Sequence, residues 1–185
     1  SFPTRRSSDL LVENLMVTVN QVVSRFLRSR GYPTLERVVP PPAQWERIRE
    51  LIELHGGQLP KQPDGAALSS FLASFKDTDP AMHQEVTFAV IKLIGAGEFR
   101  AVGKEMELPG HFPLATKNYC QCTASIRRGG DRIATRMLKA ALADEPPPYT
   151  LEELEAFATN LNLKGRVTRK VQRAVEKSVI ATMLV

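Results

Sequence analysis

Apolar residues recur every three or four positions along most of the 185-residue chain, the period of helices that bury one face. Leu11, Leu15, Val19, Val22, Val23 and Phe26 predict a helix over 11–30, ended by Gly31 with Pro33 just beyond. Past Pro40-Pro41-Pro42, the positions Trp45, Ile48, Leu51, Ile52 and His55 predict a second helix over about 43–55, stopped by Gly56-Gly57. Leu68, Phe71, Leu72 and Phe75 mark a third over 64–76. Asp79-Pro80 has the form of an N-cap followed by proline at the first helical position, and opens a fourth helix to Ile94, before Gly95 and Gly97.

The pattern then changes. Residues 98–102 read as extended, with a continuation past Gly103 to Met106, and Pro109-Gly110 turns the chain into His111-Phe112. Residues 116–128 fit helix and irregular structure equally. Asp131, after Gly129-Gly130, reads as the cap of a helix ending near Ala143. Thr150 and Glu153 match a capping box that opens a helix to about Asn160, and a last helix is predicted over 163–184. The expected class is mainly α with a small β contribution, an α+β fold.

A length of 185 residues suits one domain, and 43% hydrophobic with 24% charged residues is ordinary globular composition. No apolar run approaches the roughly 20 residues of a membrane span, so no membrane partner is expected. Cys120 and Cys122, one residue apart, are poorly placed for a disulfide, and no histidine pair joins them as a zinc site. Reduced thiols suggest the cytoplasm. The opening string SFPTRRSSDL, residues 1–10, is similar to translated sequencing-adapter readthrough, so it is expected to be a non-native leader ahead of residues 11–185, and Arg5 and Arg6 receive no functional weight.

The net charge of +5 is unevenly spread. Residues 115–141 carry six Lys or Arg against Asp131, and residues 159–177 carry six against Glu176, so the remainder is acidic. Two basic segments on an acidic chain point to a polyanion, nucleic acid before membrane. Arg127-Arg128 precede Gly129-Gly130 and a helix start, where guanidinium forks and free N–H groups favour a phosphate. Arg128, Arg132, Arg136 and Lys139 form a stripe at spacings of four, four and three. A solvated basic face explains that spacing equally well. The last helix repeats the arrangement with Arg166, Arg169 or Lys170, Arg173 and Lys177 opposite Val167, Val171, Ala174 and Val175. Arg127, Arg128 and the 166–177 stripe are expected to line one groove. His55, His83 and His111 share no ligand spacing, and no Gly-rich phosphate loop or paired carboxylates stand out.

The stretch GHFPLATKNYCQCTASIRRGGDRIATRMLK, residues 110–139, resembles the signature region of the ribonuclease II/R (RNB) family of exoribonucleases. In that family Gly-His-Phe-Gly-Leu leads through a Tyr and Thr-Ser-Pro-Ile-Arg-Arg into an Asp and a helix. Val12-Glu13-Asn14-Leu15-Met16 with Asn20 is similar to the family's Glu-Glu-Phe-Met helix, and Leu35-Glu36-Arg37-Val38 to its Tyr-Arg-Val-His segment. The resemblance implies the C-terminal half of an RNB catalytic domain, degrading single-stranded RNA from the 3′ end to nucleoside 5′-monophosphates. It puts Arg127 on the catalytic arginine that contacts the scissile phosphate. Tyr119, Thr123, Arg128 and Arg136 fall on neighbouring motif positions, and Arg169 and Arg173 join them as RNA-binding candidates.

The departures shape the expectation as much as the matches. The family's Mg²⁺-holding aspartates precede the helix beginning near Leu11, so no metal ligand is assigned here and this chain is expected to bind no Mg²⁺ itself. Ser-Pro becomes Ala124-Ser125, an aromatic becomes Gly129, and a carboxylate near the domain end becomes Gln172. Neither a cold-shock nor an S1 domain is expected within the chain. The implied partners are single-stranded RNA and the N-terminal half of the RNB domain. The alternative is a non-catalytic RNA-binding protein on the RNB scaffold.

Overall fold

The computed structural model describes residues 7–107 and 109–183. Its elements run α1 (Ser7–Ser29), β1 (Thr34–Val38), α2 (Trp45–Leu54), α3 (Gly65–Thr78), α4 (Pro80–Ile94), β2 (Glu98–Val102), a 3-10 turn at Phe112–Leu114, α5 (Gly129–Leu142) and α6 (Leu151–Met183). The fold is helix-rich with one two-stranded sheet, as the sequence pattern predicts. β1 and β2 pair antiparallel, with Glu36 opposite Arg100 and Arg37 opposite Phe99.

Two cores hold the elements. Trp45, Ile48 and Ile52 of α2 meet Leu68 and Phe75 of α3, Val86 and Val90 of α4, and Phe112. Asp64 caps α3 by accepting from the N–H groups of Ala66 and Ala67, and Asp79 caps α4 by accepting from Met82. The second core joins Val23 and Leu27 of α1 to Ala101 of β2, Met137, Ala140 and Ala141 of α5, and Leu154 of α6. Thr150 and Glu153 form the reciprocal capping box that starts α6.

Several sequence expectations are corrected. β1 is unannounced by periodicity because Thr34 and Glu36 are buried polar residues, which breaks the apolar alternation a strand usually shows. β2 ends at Val102 and does not continue to Met106. Helix α1 is described from Ser7, four residues before the predicted start at Leu11; residues 1–6, and Leu184 at the expected end of the last helix, lie outside the described residues. The two predicted C-terminal helices are one, α6, because Asn162 spends its side chain on Phe99 rather than on its own backbone. The N-cap of α5 is Arg128, not Asp131, which sits in the first turn and is fully buried. Leu11, Leu15, Val19 and Val22, periodic but not covered, are exposed, whereas Val23 and Leu27 carry the packing of α1.

Candidate nucleic-acid interface

The segment from Tyr119 to Arg128 has neither helix nor strand, so its backbone donors need other partners. Buried side chains supply them. The Tyr119 N–H donates to Glu36 at 2.6 Å, the Cys122 N–H to Asn20 at 2.9 Å, and the Ala124 N–H to Asp131 at 2.8 Å. Ser24 and Thr34 hydroxyls also donate to Glu36, and the Arg37 N–H donates to the Tyr119 carbonyl at 2.8 Å. A strap without regular structure is thereby fixed against α1, β1 and α5.

That strap forms one wall of a groove of about 820 Å³. Arg127, Arg128, Gly129 and Gly130 line it from the strap and the start of α5, Arg37 and Phe99 from the sheet, and Lys164, Arg166 and Arg169 from α6. Arg37 stacks its guanidinium over the Phe99 ring, 4.9 Å from the centroid. Asn162 clips α6 to β2, accepting from the Phe99 N–H at 2.7 Å and donating to the Phe99 carbonyl at 2.8 Å. Gly130 lets the first turn of α5 approach Phe99, since a Cβ there would lie 2.9 Å from the ring.

Cations dominate the groove. Burial lowers the pKa of Arg37 first, and the charge of Arg169 lowers it further, while Glu98 opposes both. Glu98 is itself held by Arg100 at 2.6 Å. Crowded guanidinium groups favour an anion between them. His111 stays neutral near pH 7: burial and the Arg37 charge push its pKa down to about 4. Burial drives the Cys120 thiol upward and Cys122 up to about 11, so neither supplies a thiolate.

The residues singled out from sequence separate into two groups. Arg127, Arg128 and Arg169 meet at the groove, with Arg127 exposed and Arg169 half-buried. Arg128 is committed within the fold, donating through Nη2 to Asp131 at 2.7 Å and to the Thr123 hydroxyl at 3.3 Å. Tyr119 is buried, its hydroxyl accepting from Asn20 at 3.1 Å and its ring 5.0 Å from His111. Thr123 meets Arg128, and the exposed Arg136 donates to the Tyr149 hydroxyl at 2.6 Å. Arg173 and Lys177 are exposed on α6 beyond the groove lining, so the stripe joins the groove only through Arg166 and Arg169. Sequence reasoning missed Arg37 as a groove residue and Asn162 as its clip. The signal for Arg37 was its place in the Leu35-Glu36-Arg37-Val38 segment.

A model of the RNB domain matches residues 3–144. The chain belongs to the RNB domain family. Ribonuclease R of Aquifex aeolicus is 30% identical over 173 residues, covering 91% of this chain and 24% of that protein. The RNB chain therefore spans about a quarter of the length of that relative. The apo form of Mycoplasma genitalium RNase R superposes with a TM-score of 0.78 at 21% identity, covering all of this chain and 29% of the other. The same enzyme with ribose-methylated single-stranded RNA gives 0.76 at 20% identity, covering 97% and 29%. Yeast Ssd1, a pseudonuclease, shares the fold with a TM-score of 0.72 at 19% identity, covering 87% and 20%.

The family suggests a divalent metal in the intact enzyme, and the two buried carboxylates nearest the groove, Glu36 and Asp131, are engaged within the fold. Glu36 accepts from two hydroxyls and an N–H, and Asp131 accepts from an N–H and a guanidinium through Oδ2, while its buried Oδ1 has no hydrogen-bond partner. Among the described residues no three His, Cys, Asp or Glu converge as a metal cluster.

Proposed function

We propose that this RNB chain is the RNA-holding portion of a 3′–5′ exoribonuclease that acts on single-stranded RNA and releases nucleoside 5′-monophosphates. The observation that carries the reading is the groove in which Arg37, Arg127, Arg166 and Arg169 converge from three separate parts of the chain. A backbone phosphate seated there meets exposed Arg127 beside the N-terminal turn of α5, while the cations of α6 face the adjoining phosphates. Phosphates are alike in every sequence, so recognition is blind to base identity. The Mg²⁺ that would activate water belongs to the N-terminal half of the domain, which is the partner of this portion, and no hydrolytic step is assigned to residues of this chain.

The test is incubation of the chain with labelled oligouridylate and oligoadenylate in the presence of Mg²⁺. Similar affinity for both, without release of mononucleotides, supports the reading. Metal-dependent, processive release of mononucleotides by the chain alone overturns the division of labour, and absence of RNA binding overturns the groove.

A second reading, a non-catalytic RNA-binding protein on the same scaffold, is supported by Gln172, which stands where the resemblance puts a carboxylate and instead donates to Glu176 at 2.9 Å. An upstream reading frame without an aspartate cluster would favour it.

A further inference from the structure

Asp131, beside the groove, is a fully buried carboxylate: it is 0% exposed, in the first turn of α5. A buried charge is tolerated only where its partners are fixed, and its partners both belong to the strap. Oδ2 accepts from the Ala124 N–H at 2.8 Å and from Arg128 Nη2 at 2.7 Å. Ala124 is gripped from its other side as well, because its carbonyl accepts from the N–H groups of Arg127 at 3.1 Å and Arg128 at 3.0 Å. The backbone of Arg127 is thus two hydrogen bonds from Asp131, through a single residue. The neighbouring Ile126 side chain is 96% exposed, so it adds no packing to this anchorage.

We infer that Asp131 is a positioning residue for phosphate binding: it pins the 124–128 turn through Ala124, withholds Arg128 from the ligand, and leaves Arg127 as the arginine of the pair that meets a phosphate. The inference rests on the reading of the groove as an RNA site. It reverses two expectations from the sequence, in which Asp131 capped a helix and Arg128 served as a second phosphate ligand. The pairing assigns the adjacent arginines opposite duties: Arg128 neutralises an internal carboxylate, and Arg127 remains free in the groove. A turn held before the ligand arrives spares the ordering entropy that a loose loop would lose on binding.

The discriminating experiment is a double-mutant cycle on the full 185-residue chain, titrated into labelled oligouridylate at a temperature where circular dichroism shows every variant folded. In the unaltered background, Arg127→Ala is expected to weaken binding roughly tenfold to hundredfold, the loss of one charge-assisted contact. In an Asp131→Ala background the same change should weaken it by no more than about twofold, because Arg127 is no longer held in place. An Asp131 that merely stabilises the fold would leave the effect of Arg127→Ala equal in both backgrounds, and that result overturns the inference while keeping the groove. Loss of nothing on Arg127→Ala in the unaltered chain, or no RNA binding at all, overturns groove and inference together. Should Asp131→Ala not fold, amide hydrogen exchange on the unaltered chain decides. Strong protection of the Ala124 N–H is expected, and exchange at the rate of an unstructured peptide would refute the anchor.

Discussion

Asn162 holds the backbone of Phe99 with both ends of its side-chain amide, accepting from the N–H at 2.7 Å and donating to the carbonyl at 2.8 Å. The amide completes the free edge of β2 as a neighbouring strand would, and it does so from within α6. Phe99 in turn carries Arg37 over its ring and packs against Gly130. One side chain therefore fixes the helix bearing Lys164, Arg166 and Arg169 against the sheet bearing Arg37. Replacing Asn162 with Ala leaves two part-buried backbone groups unmatched, and a loss of about 1–3 kcal/mol is expected. At about 2–4 °C per kcal/mol for a chain of this size, differential scanning calorimetry reads that directly. An unchanged melting temperature would show that α6 is held by packing alone.

Gly110 opens the 110–139 signature because no other residue fits there. Its φ is +77°, and a Cβ would lie 2.4 Å from the Thr116 carbonyl oxygen and 2.9 Å from Lys117 Cα. Its own carbonyl accepts from the Val39 N–H at 2.9 Å, so the backbone has no freedom to move away. Gly110→Ala is expected to destabilise by on the order of 3 kcal/mol, measured as a lower urea midpoint with an unchanged slope. A loss under about 0.5 kcal/mol, the level of an ordinary surface substitution, would contradict the close approach.

How far the fold could be read from the sequence depended on where polar residues were spent. Helices α2 to α4 were legible because Asp64, Asp79 and Pro80 do conventional capping work and the apolar residues face one core. The failures share a cause. Glu36, Asp131 and Asn162 look like residues of surfaces, caps and loops, and each instead satisfies the backbone of a distant segment. Local pattern carries no trace of such long-range partners. The candidate site was legible where charge and motif coincided, at Arg127. It was not legible at Arg37, whose half-buried strand position no period announced, nor in the fact that Arg128 is already engaged by Asp131.

His111 gives the fold a pH dependence. Burial, reinforced by the Arg37 charge, lowers its pKa to about 4 from the ordinary 6.5. The unfolded chain therefore binds a proton at this residue more readily than the folded one, so stability rises with pH between those values. The contribution is fully present above about pH 6.5 and is lost as the pH falls toward 4. His111→Gln should flatten the melting temperature between pH 6.5 and 5 relative to the unaltered chain. Identical profiles would place His111 in a solvated setting.

The central claim is that the arginines of one groove hold an RNA backbone, and the salt dependence of binding tests it most directly. Labelled oligouridylate is titrated with the unaltered chain and with the triple variant Arg37→Gln, Arg127→Gln and Arg169→Gln over a series of salt concentrations. Each phosphate contact on a single strand contributes about 0.7 to the slope of log affinity against log salt. Loss of three contacts should flatten the slope by about 2, whichever base is used. An unchanged affinity and slope in the triple variant would contradict the account.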